Sequence, residues 1–328
     1  AMSSPFGSPC IALIDIGNTR LKIGWLDPTT GQREPAALAL EPREADTLGD
    51  WFKAQNVWPT AVFGVNVAGA AKAMLIEQVF RRRFEVSIAW QHSQQQACGV
   101  HNNYRRPQQL GADRWAAMIG LSALKPNATT PLLLANFGTA TTLDTLCPRA
   151  LWLVAQDAHA AHAPGAEQTA MHGNNQRAYP CPGGDTLQDT IGNAQWVYEG
   201  GLIFPGPALM RASLAHNTAQ LPRADGNPAL FPVDTHTAIV TGIAAAQAGA
   251  VIRQWQAGLH RYGVAPRVYC TGGGWPVVQQ EVQSQLALAQ SQNGQTALAV
   301  GYLPAPILDG LARMAVEQHH RAPAHHNP

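Results

Sequence analysis

The chain has 328 residues, with 22 Lys plus Arg against 21 Asp plus Glu for a net charge of +1, and 46% hydrophobic residues. That length supports one large domain or two medium ones with a sizeable core, and the near-neutral balance leaves no basic footprint for nucleic acid. No apolar stretch approaches the roughly 20 residues needed to cross a bilayer, and the N-terminus lacks a basic region followed by an apolar one, so a cytoplasmic protein with no membrane partner is expected.

In chain order, the apolar run Ile11-Ala12-Leu13-Ile14 leads into Asp15-Ile16-Gly17-Asn18-Thr19-Arg20-Leu21-Lys22 and a second alternating run to about Leu26. This reads strand, tight turn, strand. A turn at Asp27-Pro28, a helix over about 42–55, a strand over 61–65 and a helix over 67–80 follow, and 84–90 alternates again. Arg81-Arg82-Arg83 falls where a helix C-terminus favours cations. The order is that of an α/β sheet covered on its faces.

At Leu132-Leu133-Leu134-Ala135 the chain starts over, with Asn136, then Phe137-Gly138-Thr139-Ala140-Thr141-Thr142, then Leu143-Asp144. Few letters match the first hairpin, but the physical types do, which points to an internal duplication with two hairpins opposed across a cleft. Downstream, a strand over 196–203 ends in Gly200-Gly201, and Pro205-Gly206-Pro207 opens a helix over 206–216. A long helix rich in small residues covers about 235–258, a strand over 267–270 enters Thr271-Gly272-Gly273-Gly274, and helices run to about 317. The domains expected are 10–130 and 131–318, with an insertion at about 148–195 and a disordered tail at 319–328.

Several of these segments carry chemistry. The turn at Asp15 to Lys22 is either an ordinary hairpin, since Asn and Gly suit positive φ, or a nucleotide phosphate loop in which backbone N–H groups, hydroxyls and an ammonium meet phosphate while Asp15 holds a hydrated Mg²⁺. Gly111-Ala112-Asp113-Arg114 at the domain junction is either a helix cap with a surface ion pair or a substrate site, with Asp113 accepting a hydroxyl proton and Arg114 neutralising anionic charge. Three glycines at 272–274 are either a tight strand-to-helix turn, which needs one or two, or a place where a flat ligand such as adenine or ribose approaches the backbone, which three in a row favour. Five cysteines without metal-ligand spacing read as reduced structural thiols. The histidine groups at 159–172 and 319–326 read as solvated segments.

Asp15-x-Gly17-Asn18-Thr19-x-x-Lys22, Gly111-Ala112-Asp113-Arg114, Gly138-Thr139-Ala140-Thr141-Thr142-x-Asp144, Gly200-Gly201-x-Ile203-x-Pro205-Gly206 and Gly272-Gly273-Gly274, in that order, resemble the type III pantothenate kinase (Bvg accessory factor) family. The resemblance runs from about Ile11 to Met314. It implies two ribonuclease-H-like halves of the acetate/sugar kinase, heat-shock ATPase and actin superfold with ATP between them, and ATP-dependent phosphorylation of pantothenate to 4′-phosphopantothenate, the first committed step towards coenzyme A. It further implies ATP and phosphate contacts from Asp15, Gly17, Asn18, Thr19, Lys22, Thr139, Gly272 and Gly273, with Mg²⁺ near Asp15. Asp113 is implied as general base, and Tyr104, Gly111, Ala112 and Arg114 as pantothenate contacts. Thr235 is implied to reach pantothenate from a neighbouring subunit, hence a homodimer with shared sites, for which the small-residue helix would form the interface.

Two departures stand out. Many relatives carry Asp where this chain has Asn136, a position that ligates K⁺ or NH₄⁺; a neutral oxygen there weakens the site, so a weaker dependence on monovalent cations is expected. About forty extra residues rich in Ala, His, Gln and Gly separate Asp144 from Gly200, and 157–185 is expected to be a mobile surface insertion. Two other readings stay open: a kinase of the same superfold for another small alcohol, which an alcohol panel separates, and a non-catalytic accessory protein, which the joint presence of Asp15, Lys22, Asp113 and Arg114 disfavours.

Overall fold

The computed structural model of the protein describes residues 7–161, 191–217 and 224–321. The N-terminal alternation becomes β1 (Ser8–Ile16) and β2 (Leu21–Leu26), an antiparallel pair whose register sets Asp15 opposite Lys22. β3 (Leu38–Leu40) extends this meander. After a 3₁₀ turn at Pro42–Thr47 and helix α1 (Leu48–Ala54), β4 (Val57–Asn66) runs parallel to β1 on its other side. Helix α2 (Ala70–Phe84) follows, its last turn carrying Arg81, Arg82 and Arg83 as the dipole argument expects. β5 (Ile88–Trp90) completes the sheet order β3-β2-β1-β4-β5.

A short hairpin, β6 (Gln96–Ala97) and β7 (Val100–Asn102), then leads to helix α3 (Ala112–Leu124). From here the plan repeats. β8 (Leu132–Phe137) and β9 (Ala140–Pro148) are antiparallel, and after α4 (Arg149–Ala161) β10 (Trp196–Pro205) pairs antiparallel with β9. Helices α5 (Pro207–Asn217) and α6 (Thr235–Tyr262) precede β11 (Arg267–Thr271), which lies parallel to β8. Helix α7 (Trp275–Gln292), the short β12 (Gly301–Tyr302) and α8 (Pro306–Arg321) end the fold.

The second sheet has the order β12-β11-β8-β9-β10-β7-β6. Counted from β1 or from β8, both sheets show an antiparallel meander of three strands flanked by two strands parallel to the first. This is the doubled ribonuclease-H-like arrangement of the acetate/sugar kinase, heat-shock ATPase and actin superfold. β6 and β7 precede position 130 in sequence yet extend the second sheet beside β10.

Side-chain alternation sorts the core into layers. Ala12, Ile14 and Ile16 pack with Phe52 of α1 and Phe80 of α2, whereas Ile11 and Leu13 face a middle layer built from α3 and α8. Leu132 and Leu134 meet that middle layer from the second sheet, and Leu133, Ala135 and Phe137 pack on α6 and α7. The two middle helices touch at glycines: a Cβ on Gly120 would stand 2.0 Å from the Pro306 carbonyl oxygen, and one on Gly310 1.8 Å from that of Ala116. Close contact here anchors the first turn of α3, where the Asp113-Arg114 pair lies.

Two sequence expectations need correction. α6 spans 28 residues with a window of mean hydropathy 1.3, so the chain does contain a helix long and apolar enough to cross a membrane by length and composition. Its apolar character comes from Ala, Gly and scattered Ile and Val rather than from an unbroken run, and Ile239, Val240, Ile243, Val251 and Trp255 are buried against the rest of the protein. The expected insertion at about 148–195 begins with helix α4, which carries regular structure as far as Ala161, into the 157–185 stretch expected to be mobile, and Trp152 is buried beside Cys147, Ile191 and Val197. Residues 162–190, on which the rest of that expectation falls, lie outside the described residues, as do 322–328; residues 319–321, placed in the expected tail, belong to α8.

Candidate active site

The two glycine-bearing hairpins face each other. In the first, the Gly17 N–H donates to the Arg20 carbonyl at 3.0 Å; in the second, the Gly138 N–H donates to the Ala140 carbonyl at 3.1 Å. Their tips touch through the Thr19 and Thr139 hydroxyls, 2.8 Å apart. Lys72 of α2 donates its ammonium to the Asn18 carbonyl, placing a further cation at the first loop. Neighbouring glycines let three segments converge on the second loop. The Gly206 N–H donates to the Thr139 carbonyl at 2.9 Å, and a Cβ there would stand 2.1 Å from the Gly138 oxygen. Gly272, at φ +97°, would set a Cβ 2.5 Å from the Phe137 oxygen and 2.7 Å from Asn136 Oδ1, so only glycine fits. Gly273 beside it meets open space.

Asp113 sits in the first turn of α3, where the positive end of the helix dipole favours a carboxylate. Its Oδ1 accepts from the Arg114 backbone N–H at 2.7 Å, and a side chain on Gly111 would press on the same oxygen. Arg114, 5% exposed, directs its guanidinium away from Asp113 and onto Asp144 of β9, with Nε 3.1 and 3.2 Å from the two carboxylate oxygens and Nη2 2.5 Å from Oδ1. Nη2 also reaches the Tyr198 hydroxyl at 2.7 Å and Nη1 the Tyr104 hydroxyl at 3.1 Å, and Tyr198 in turn donates to Asp144 at 2.7 Å. The Tyr104 and Tyr198 rings lie 5.6 Å apart. Gly201 makes room for this network, since a Cβ there would stand 2.2 Å from Asp144 Oδ1 and 2.7 Å from Arg114 Nη2. A β-bulge between Tyr198 and Gly200, with Gly200 at φ +131°, sets that approach.

Burial governs the site's protonation. Asp15 is 7% exposed, and desolvation first, then the charge of Asp113, push its pKa up from 3.8 to about 7 against the opposing pull of Lys22. Asp113 is raised as well, by burial and by the Asp144 charge, while the Arg114 N–H and guanidinium hold it down. Burial and then Asp144 also push the Tyr198 phenol above its usual range. Asp15, Asp113 and Asp144 therefore form a chain of carboxylates that feel one another, and the last is neutralised by Arg114.

The fold thus brings Asp15, Gly17, Asn18, Thr19, Lys22, Asp113, Arg114, Tyr104, Asn136, Thr139 and Gly272 to one cleft between the halves. Thr235 is not among them; it is exposed at the start of α6, beside a groove shared with α5. The sequence reading gave Arg114 to the substrate, whereas its donors go mainly to Asp144, Tyr198 and Tyr104. It passed over Lys72, Tyr198 and Gln247. Helix packing places Lys72 and Gln247 and strand pairing places Tyr198, and no local pattern marks them.

Comparison with known proteins gives the family. The family model for type III pantothenate kinase matches residues 11–152 and 186–257. The chain belongs to the type III pantothenate kinase family. It is 45% identical to a type III pantothenate kinase of Bordetella bronchiseptica over 95% of this chain and 99% of that protein. The type III pantothenate kinase of Bordetella petrii is 43% identical over 94% and 97% of the two chains, and that of Aromatoleum aromaticum 36% identical over 82% and 88%. The family model leaves unmatched the stretch between 152 and 186, which holds most of the segment read from sequence as additional.

Proposed function

We propose that the protein transfers the γ-phosphoryl group of ATP to the primary hydroxyl of pantothenate, with Asp113 as general base. The observation that carries this reading is Asp113 itself: a half-buried carboxylate at a helix N-terminus, electrostatically coupled to Asp15, beside two glycine-bearing hairpins in contact through Thr19 and Thr139. The raised pKa of Asp113 means that it holds a proton better than an ordinary aspartate, as a general base must. The Arg114–Asp144–Tyr198 network fixes the first turn of α3 and the Tyr104 ring, so Arg114 orients Asp113 and the wall of the substrate pocket. Lys22 and Lys72 supply positive charge to the phosphates, and Gly17 to Thr19 and Gly138 to Thr139 supply backbone and hydroxyl donors.

The residues present fit a hydrated Mg²⁺. Asp15 is a buried carboxylate whose ionisation is opposed by its surroundings, and a cation would relieve that cost. Among the described residues no group of three or more His, Cys, Asp or Glu side chains forms a cage, which suits an ion held by one carboxylate, water and phosphate. When bound, the ion neutralises phosphate charge. Asn136 offers a neutral oxygen, and Thr271, its register partner on β11, has a buried hydroxyl without a partner. That pair supports a weak monovalent-cation site and a shallow K⁺ dependence, which a steady-state titration of KCl against choline chloride checks; strict K⁺ dependence contradicts it.

The active unit is a homodimer. Supporting this, Leu230, Phe231 and Val233 are 82–97% exposed just ahead of α6. Beside them a groove of about 1000 Å³ is lined by Leu209, Met210, Ala238, Ile239 and Gly242. Thr235, at the rim of that groove, reaches the pantothenate site of a second copy. Formation of 4′-phosphopantothenate by purified protein, measured beside a panel of other small alcohols, tests the function; comparable rates with an unrelated alcohol refute the substrate.

A further inference from the structure

Gln247 lies on the buried face of α6 among Ile243, Ala244, Ala248 and Val251, and is 0% exposed. An amide in such surroundings is costly unless its hydrogen bonds are made. Here they are: Oε1 accepts from the Thr141 hydroxyl at 2.6 Å, and Nε2 donates to the Pro205 carbonyl at 2.9 Å and to the Met210 sulfur at 3.4 Å. Thr141 is the second residue of β9 and Pro205 the last of β10, at paired ends of the sheet where Pro205 lies opposite Ala140. The tip of the second hairpin, which joins β8 to β9, is tied to this same end of β10 by the Gly206 N–H on the Thr139 carbonyl.

We infer that Gln247 is a positioning residue for the second phosphate hairpin. It ties the start of β9, just after Gly138 and Thr139, to the end of β10, whose next residue Gly206 bonds the Thr139 carbonyl, so that the Thr139 hydroxyl and the Gly138 backbone hold their places opposite Thr19. A leucine or methionine would fill the space with better burial, but would leave the Thr141 hydroxyl and the Pro205 carbonyl without partners. The hairpin would then sample several positions, and the nucleotide would have to order it on binding. Asp113, Arg114 and Tyr104 are not contacted by Gln247, so the effect falls on the nucleotide and not on the acceptor.

This inference rests on the kinase reading above, and its test keeps the two apart. Gln247→Met and Thr141→Val are made singly and together, in the full chain. ADP affinity is measured by calorimetry, which needs no pantothenate, and KM for ATP, KM for pantothenate and kcat are measured in the coupled assay. Each single variant should weaken ADP binding and raise KM for ATP about tenfold, as loss of one or two buried hydrogen bonds implies. kcat at saturation should stay within about threefold and KM for pantothenate should be unchanged, because no transition-state contact is removed. The double variant should be no worse than the weaker-binding single, since both act through one hydrogen bond. Unchanged ADP affinity in Thr141→Val overturns the inference, as does an additive double variant, or a parallel fall in all kinetic parameters matching a loss of folded protein. If Gln247→Met does not fold, Thr141→Val carries the test. A parent protein that binds ADP but phosphorylates no pantothenate refutes the acceptor assignment and leaves the ADP readout for Gln247 intact.

Discussion

Asp15 and Asn136 occupy the same place in the two halves, each the penultimate residue of a first strand that runs into a glycine-bearing turn, yet only one can ionise. Around Asp15 the first hairpin gathers Lys22 opposite it in the sheet and Lys72 from α2. Around Asn136 the second gathers neutral groups, Thr142 and Thr271 in register and Gly272 at contact distance. The two loops share one strand plan, but one is a charged wall and the other a neutral, tightly packed one. Charge at the first loop carries a cost, visible in the pKa of about 7 at Asp15, which stability in the unliganded protein must absorb.

Making the first hairpin neutral like the second breaks the comparison most severely. Asp15→Asn should lower turnover by at least about 10²-fold, as loss of a group acting on the transferring charge does, while making the unliganded protein more stable at alkaline pH. The folded-state pKa lies above the ordinary 3.8, so between 3.8 and about 7 the folded protein keeps a proton that the unfolded chain releases. Stability therefore falls as pH rises through that window and stays lower above it, by on the order of 4 kcal/mol from this group. Urea denaturation at pH 5 and pH 8 should show a gain of Asp15→Asn at pH 8 more than twice that at pH 5; equal effects at both contradict the account.

The next effect falls on the buried pair that joins the middle helix to the second sheet. Asp144→Asn leaves the Arg114 guanidinium without its counter-charge and should cost about 3–5 kcal/mol in denaturant unfolding. Gly201→Ala should be destabilising for a different reason, because its Cβ would stand 2.2 Å from Asp144 Oδ1. A smaller change sharpens the comparison from the other side. Asn136→Asp, which makes the second hairpin resemble the first, should steepen the K⁺ dependence of the steady-state rate several-fold at equal ionic strength. Smallest is Thr19→Val, which removes an exposed hydroxyl contact between the loops; a loss of about 0.5–1.5 kcal/mol in nucleotide affinity is expected by calorimetry.

Much of this was legible in the chain itself. Continuous apolar runs marked the first strands of both halves, since Ile11 to Ile14 and Leu132 to Ala135 are buried on both faces and carry no polar break. The glycine boxes were legible because each marks a place where a Cβ has no room, as at Gly201, Gly206 and Gly272. Arg114 was read towards the substrate because Asp144 lies thirty positions away and only the fold brings it near. Gln247 and Tyr198 escaped for the same reason, their partners being set by sheet register. The short β6, β7 and β12 escaped because two or three residues carry no periodicity. α6 hid its apolar character among alanines and glycines.

The central claim is that Asp113, placed by α3 between the two hairpins, takes the proton from the acceptor hydroxyl. Asp113→Asn keeps the size of the side chain and its acceptor for the Arg114 N–H, so the variant should fold and bind ATP as the parent does. Its rate of 4′-phosphopantothenate formation at saturating ATP and pantothenate should fall by roughly 10²–10⁴-fold. A folded Asp113→Asn protein as fast as its parent contradicts the account.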